Sequence, residues 1–225
     1  MADLLAFIHT VPSLVGLFTS LAQEILPADV EVLHIADEIL LKVVLAKGGL
    51  TPFIFQRVAD HVIACERAGA DAVQLTCSSI SPCAEPAARL VEIPVLKVDE
   101  PMVDQALLLG QRIGVAATAP TTLQPTTELV RQRAAAAGRT VEVDALVCHG
   151  AYEALFAGAT ETHDRIVHEH LRTLMSRNEV VILAQASMAR VLETLPTAER
   201  RVPILSSPRL AVERLRQILA GGAGA

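Results

Sequence analysis

Aromatic residues are scarce in this chain, 3% of its 225 residues, with no tryptophan and one tyrosine. Any core must therefore be aliphatic, and the 52% hydrophobic content is enough to bury one and to exclude a disordered chain. Positive charge is also in short supply. Lys and Arg number 19 against 25 Asp and Glu, a net charge of -6. That excludes the basic face with which a nucleic-acid binder displaces counterions. The four cysteines fall at irregular spacing, with neither a disulfide framework nor a paired zinc motif. Free thiols fit a reducing compartment, so a cytoplasmic location is expected. No run reaches the roughly 18 apolar residues of a membrane helix. The apolar N-terminus is interrupted by Asp3, His9 and Pro12 and lacks the Lys or Arg of a signal peptide. No membrane association is expected.

Several cofactor and catalytic signatures are missing as well. There is no GxGxxG after a strand, no GxxxxGK[ST] and no GxSxG, so nucleotide cradles and a hydrolase elbow are excluded. No lysine stands out as a Schiff-base site. His163, His168 and His170 lack the HExxH spacing that puts two imidazoles on one helical face, and they read as solvent-exposed. Neither a metal nor a cofactor is expected.

What is present is an alternation of short aliphatic runs with longer amphipathic stretches. Strands are predicted at Leu4–Thr10, Val30–Ile35, Ala72–Thr76, Pro94–Val98, Arg112–Ala117, Thr140–Val147, Val180–Ala184 and Val202–Leu205. Helical periodicity occupies SLVGLFTSLAQEIL, PFIFQRVADHVIACERAG, TTLQPTTELVRQRAAAAG, THDRIVHEHLRTLMSRN and PRLAVERLRQILAGG, with Gly69 and Gly138 as helix stops. The terminal GGAGA is expected to fray. Such a βαβα pattern implies a mainly parallel sheet covered on both faces. That burial accounts for the mean hydropathy of +0.43. The chain also matches itself at about half its length. AVQLTCSSI (72–80) lines up with VVILAQASM (180–188), EIPVLKVDEPMVDQAL with RVPILSSPRLAVERL, and LLAFIHT with RIGVAAT. The expected architecture is therefore α/β, with two pseudo-symmetric lobes and the active site in the cleft between them. Residues 1–98 with 206–225 form the first lobe, and 99–205 the second.

Ligands of open α/β sheets sit at the carboxyl ends of strands. Those ends carry His9-Thr10, Asp37-Glu38, Thr76-Cys77-Ser78-Ser79, Thr118 with Thr121-Thr122, His149 and Gln185-Ala186-Ser187. Hydroxyls and free amides of this kind suit a small anion; any one Ser or Thr alone reads better as a helix cap, and it is their concentration at corresponding strand ends that points to a site. Cys77 is the sharpest candidate. Free N–H groups beside its sulfur would lower the thiol's pKa and equip it for proton transfer to and from carbon. Position alone leaves open a buried, inert cysteine. Cys65, Cys83 and Cys148 read as structural. His9 is either substrate-facing or packed, and Asp37 and Glu38 read as caps of the following helix, with a cleft role for Asp37 also open.

FIHTVPS, GADAVQLTCSS, IGVAATAPTTL and VVILAQASM together resemble the aspartate/glutamate racemase superfamily, which also holds hydantoin racemases, maleate isomerases and arylmalonate decarboxylases. The resemblance covers essentially the whole chain. It implies two similar α/β lobes, no cofactor, a homodimer, and in the racemases two cysteines working on opposite faces of a carboxylate substrate. Cys77 takes the place of the first cysteine, and the second is expected to fall at Ala186, which cannot transfer a proton. Ser78 and Ser79 match the polar residues after the first cysteine, and Thr118, Thr121 and Thr122 match the carboxylate-binding stretch. His9, Thr10, Ala186 and Ser187 complete the expected substrate-binding set. The function so implied is a cofactor-independent racemase or isomerase that uses Cys77 next to the carboxylate of a small acid. The alternatives are a decarboxylase of a malonate-type acid and a non-catalytic carboxylate binder.

Overall fold

A computed structural model describes residues 3–222; the last three residues of the GGAGA tail lie outside it. The first half of the chain runs β1 (Leu4–His9), α1 (Leu14–Ile25), β2 (Glu31–Ala36), α2 (Glu38–Lys47), α3 (Pro52–Arg67), β3 (Ala72–Leu75), α4 (Ala84–Ala88) and β4 (Val95–Lys97). The second runs α5 (Glu100–Leu109), β5 (Arg112–Ala117), α6 (Pro120–Ala136), β6 (Glu142–Val147), α7 (Ala151–Phe156), α8 (Thr160–Met175), β7 (Val180–Leu183), α9 (Val191–Thr194) and β8 (Ile204–Ser206), before the terminal helix α10 (Ser207–Gly222). All eight predicted strands form, most of them with ends shifted by one or two residues. Helices α5, α7 and α9 were not foreseen, and of these α7 and α9 offer too few residues to show a period.

The chain divides into two compact units. One holds residues up to Val98 together with the segment from Pro208, and the other spans Asp99–Ser207. Each contains a four-stranded, wholly parallel sheet, in the order β2-β1-β3-β4 in the first and β6-β5-β7-β8 in the second. In both, the first strand of the unit lies second in the sheet and pairs with two neighbours.

Alternation along β1 sorts its side chains between two layers. Ala6 and Ile8 join Leu40 and Val44 of α2, Ile54, Val58 and Val62 of α3, and Val73 and Leu75 of β3. Phe7 and His9 point the other way, where the Phe7 ring lies 5.3 Å from that of Phe18 on α1. In the second unit Ala116, Val181 and Leu183 meet Val167, Leu171, Leu174 and Met175 of α8, while α5 and α6 pack against the same sheet. Burying these aliphatic faces on both sides of each sheet contributes about 1.5–3 kcal/mol per Val, Leu or Ile side chain. No helix among the described residues is long and apolar enough to cross a membrane.

Candidate active site

In the first unit, β1 and β3 end side by side. The chain leaves β3 through Thr76 and Cys77 into a tight turn, where the Ile80 N–H donates to the Cys77 carbonyl at 3.0 Å. Among the four cysteines, Cys65, Cys83 and Cys148 are buried and Cys77 alone is half-buried. Burial pushes the buried three up, Cys65 to about 11 and Cys83 and Cys148 to about 12. The same cause raises Cys77, against an opposing pull from the Thr10 hydroxyl, the Ser79 N–H and hydroxyl, and the Ile80 N–H. The expected lowering of this thiol's pKa is therefore not what the structure gives. Donors do gather on the sulfur, but desolvation outweighs them, and the resting form at neutral pH is the thiol. Ser78 and Ser79 are buried beside it. Thr10 is 1% exposed, and its hydroxyl faces the thiol without reaching hydrogen-bond geometry with it or with any other group among the described residues.

His9 has no exposed surface. Its Nδ1 lies 2.8 Å from the Thr76 hydroxyl and its Nε2 2.9 Å from His34 Nδ1, while His34 Nε2 meets the Thr19 hydroxyl at 3.0 Å. Both ring nitrogens are thus taken, which leaves none to meet a substrate as the sequence allowed. Burial, then the charge of His34, lowers His9 to about 4, and burial lowers His34. With both rings neutral, each supplies one N–H and the four-membered chain from Thr76 to Thr19 closes. Protonating both would set two N–H groups against each other.

Asp37 follows β2 and caps α2 by accepting from the Ile39 N–H at 3.1 Å. It also accepts from Arg57 and, at 2.7 Å, binds His61. Burial works against its charge, but the bonds from Arg57 and His61 prevail and hold its carboxyl below the usual range.

In the second unit, β5 and β7 end in the same relation. The register within the two sheets is directly comparable. Leu5 opposes Ala72 and Ile113 opposes Val180, while Ile8 opposes Leu75 and Ala116 opposes Leu183. The turns that follow repeat it, since the Met188 N–H donates to the Gln185 carbonyl at 3.0 Å as Ile80 does to Cys77. Counting along both chains, Thr10 corresponds to Thr118, Thr76 to Ala184, and Cys77 to Gln185. The expectation that Ala186 fills the second thiol's place is corrected by one residue: the ladder register assigns that place to Gln185. Ala186 is buried and Ser187 half-buried.

Gln185 Oε1 accepts from both the Thr118 N–H, at 2.6 Å, and the Thr118 hydroxyl, at 2.8 Å. These are the donors that the sequence assigns to a carboxylate. Thr122 is buried in the first turn of α6, and the Thr121 hydroxyl is sealed from solvent without a partner among the described residues. Farther along the unit, His163 is fully buried rather than exposed. Its Nδ1 binds Asp164 at 2.8 Å, and Arg190 grips that carboxylate at 2.8 and 2.9 Å. The spacing of His163, Val167, Leu171 and Leu174 along one helical stripe was the signal for this burial. No cluster of three or more His, Cys, Asp or Glu that could hold a metal occurs among the described residues.

The sequence model of the Asp/Glu/Hydantoin racemase family matches residues 51–215. No curated protein sequence matches the chain. Solved structures of similar fold include the allantoin racemase from Klebsiella pneumoniae, 17% identical over 98% of this chain and 89% of that one, with a TM-score of 0.71. The glutamate racemase from Francisella tularensis in complex with D-glutamate is 16% identical over 99% and 82%, with a TM-score of 0.75. The Picrophilus torridus aspartate racemase is 11% identical over 99% and 94%, with a TM-score of 0.70. One fold thus serves proteins named for three different substrates, and at these identities the likeness is one of fold. With its family match spanning most of the sequence, the chain belongs to the Asp/Glu/Hydantoin racemase family.

Proposed function

We propose that this protein is a cofactor-independent isomerase of the racemase type, which moves a proton at the carbon next to the carboxylate of a small acid and uses Cys77 as its acid and base. The observation that carries the reading is the setting of Cys77. It is the one thiol of the four that is not fully buried, at a strand tip, with the hydroxyls of Thr10 and Ser79 and the N–H groups of Ser79 and Ile80 close enough to its sulfur to favour its charged form. Those donors stabilise the thiolate whenever it forms, and desolvation makes that thiolate a stronger base toward carbon. In the forward step the thiolate takes the α-hydrogen and the C–H electron pair moves into the carboxylate as an enediolate. In the return step a proton reaches the other face of that carbon, from the thiol once the enediolate has turned over or from bound water, and the configuration inverts. Ser78 and Ser79, buried beside Cys77, supply donors for the carboxylate and the developing oxyanion, and fixed dipoles of this sort account for a large share of catalysis in such sites.

A second reading has an observation of its own. The position equivalent to Cys77 in the second unit is the non-ionisable Gln185, and Cys77 rests as a thiol. A single proton donor suits a malonate-type decarboxylation, in which the C–C bond breaks, carbon dioxide leaves with no electron pair, and the thiol protonates the enediolate on one face. The test incubates wild type and Cys77→Ser in deuterated water with amino acids, hydroxy acids, hydantoins and malonates. The expected result is α-deuterium incorporation or carbon dioxide release by the wild type, reduced at least ~10²-fold in the variant. Binding without any turnover in the wild type would overturn both readings in favour of a carboxylate-binding protein.

A further inference from the structure

The amide of Gln185 has a fixed orientation. The Thr118 backbone N–H can only donate, so the atom facing it must be the carboxamide oxygen, and the Thr118 hydroxyl converges on that same atom. The side chain gives no local helix cap to the turn that it starts and reaches instead to the end of β5. Its NH2 group therefore points away from Thr118. That group has no partner among the described residues, and the half-buried residue does not seal it from solvent. The Thr–Gln pair also repeats the arrangement in the first unit, where Thr10 faces Cys77 at the equivalent two positions.

We propose that Gln185 is a ligand-binding residue, and that its NH2 group donates to a carboxylate or carbonyl oxygen of a small acid held at the tip of β7. Thr118 is a positioning residue that acts through it. The unit that would otherwise carry a second thiol supplies a neutral hydrogen-bond donor there. The ligand it fits has an oxygen acceptor to place at that position and needs no second proton transfer from it. This assignment rests on the reading of the protein as one that acts on a small carboxylate.

The experiment measures malonate binding by calorimetry in the wild type and in Gln185→Glu, Gln185→Ala, Thr118→Val and Thr118→Ser. Gln185→Glu keeps both bonds from Thr118 and replaces only the free NH2 by a charged oxygen. It should weaken malonate at least ~100-fold while thermal stability holds. Gln185→Ala should weaken it roughly 10-fold or more, Thr118→Val by several-fold, and Thr118→Ser should restore it. In glutamine-labelled protein, the Gln185 NH2 resonances should shift on adding malonate. Tighter malonate binding by Gln185→Ala would overturn the assignment and make Gln185 a plug over the Thr118 donors. Unchanged affinity in Gln185→Glu, or no malonate binding by the wild type, would overturn it as well. The catalytic reading fails separately. If Cys77→Ser keeps full turnover while Gln185→Glu loses malonate, the thiol assignment falls and this one stands. If Cys77→Ser abolishes turnover and the Gln185 variants bind as before, the reverse holds.

Discussion

At the tip of β3 the first unit carries Thr76, Cys77, Ser78 and Ser79; at the tip of β7 the second carries Ala184, Gln185, Ala186 and Ser187. The sheets beneath them have the same strand order and the same register. The backbone thus offers both sets one geometry, and the side chains use it differently. In the first unit a thiol is surrounded by donors and backed by the Thr76–His9–His34–Thr19 chain. In the second, His9 and Thr76 are matched by Ala117 and Ala184, which can support no such chain. What remains is an amide locked by one threonine. The two sheets share one framework, and their tips carry different groups, an ionisable thiol in one and a neutral amide in the other.

The largest expected effect comes from erasing that difference. Gln185→Cys places a thiol at the equivalent tip, with the Thr118 hydroxyl beside it as Thr10 stands beside Cys77. We expect this variant to gain racemisation of an α-substituted acid at least ~10-fold over the wild type, because general acid–base groups contribute ~10²–10⁴-fold each. Chiral chromatography of the product after single-enantiomer incubation reads the outcome. A variant that folds, binds malonate and shows no gain would break the equivalence between the two tips.

Acid should distinguish the units next. His9 is held at about 4, below its ordinary 6.5. A depressed histidine pKa means that the unfolded chain binds the proton first. Its contribution to stability is full above about pH 6.5 and is lost as pH falls toward 4. The size is on the order of 3 kcal/mol, from 1.36 kcal/mol per pKa unit. Urea denaturation between pH 7 and 4 should show this slope, and His9→Asn should flatten it. A slope unchanged by the substitution would place the acid sensitivity elsewhere, with Asp37 and Asp164 the next groups to examine, since both are held low and lose their partners' support on protonation.

The fold was far more legible in the sequence than the site. Strand positions follow from aliphatic runs that parallel sheets require, and Gly69 and Gly138 mark helix ends by their composition. The site depends on finer geometry. That Cys77 ends a strand is visible in QLTCSS, but the balance between desolvation and the donors near its sulfur belongs to packing, and it reversed the expected shift. His9 could be placed at a strand end; its partner His34 lies on a neighbouring strand 25 residues away, a pairing fixed by register. Gln185 stood among the strand-end residues without a role. The repeat that lines up 72–80 with 180–188 already pairs Cys77 with Gln185, but the second cysteine's place was counted one residue late, at Ala186; the ladder register and the repeated turn bond agree with the repeat. Short motifs in alanine- and valine-rich strands hold too little information to fix register by themselves.

The smallest effect tests whether the two halves cost the same to perturb. Gly69 closes α3 in the first unit with φ of +91°, and Gly138 closes α6 in the second with φ of +64°. Each ends its helix with the same pair of bonds. The Gly69 N–H donates to Glu66 O at 2.9 Å and the Ala70 N–H to Cys65 O at 3.1 Å; the Gly138 N–H donates to Ala135 O at 3.0 Å and the Arg139 N–H to Ala134 O at 2.9 Å. A methyl group built at either site would meet nothing within 4 Å. Substitution by alanine therefore carries only the left-handed backbone penalty, about 1 kcal/mol. Gly69→Ala and Gly138→Ala should lower stability by that amount, equally within ~0.5 kcal/mol, if the units unfold as one cooperative structure. Calorimetry that shows one variant splitting the transition while the other shifts it whole would mean that the two units melt separately, and that the framework they share does not bind them into a single folding unit.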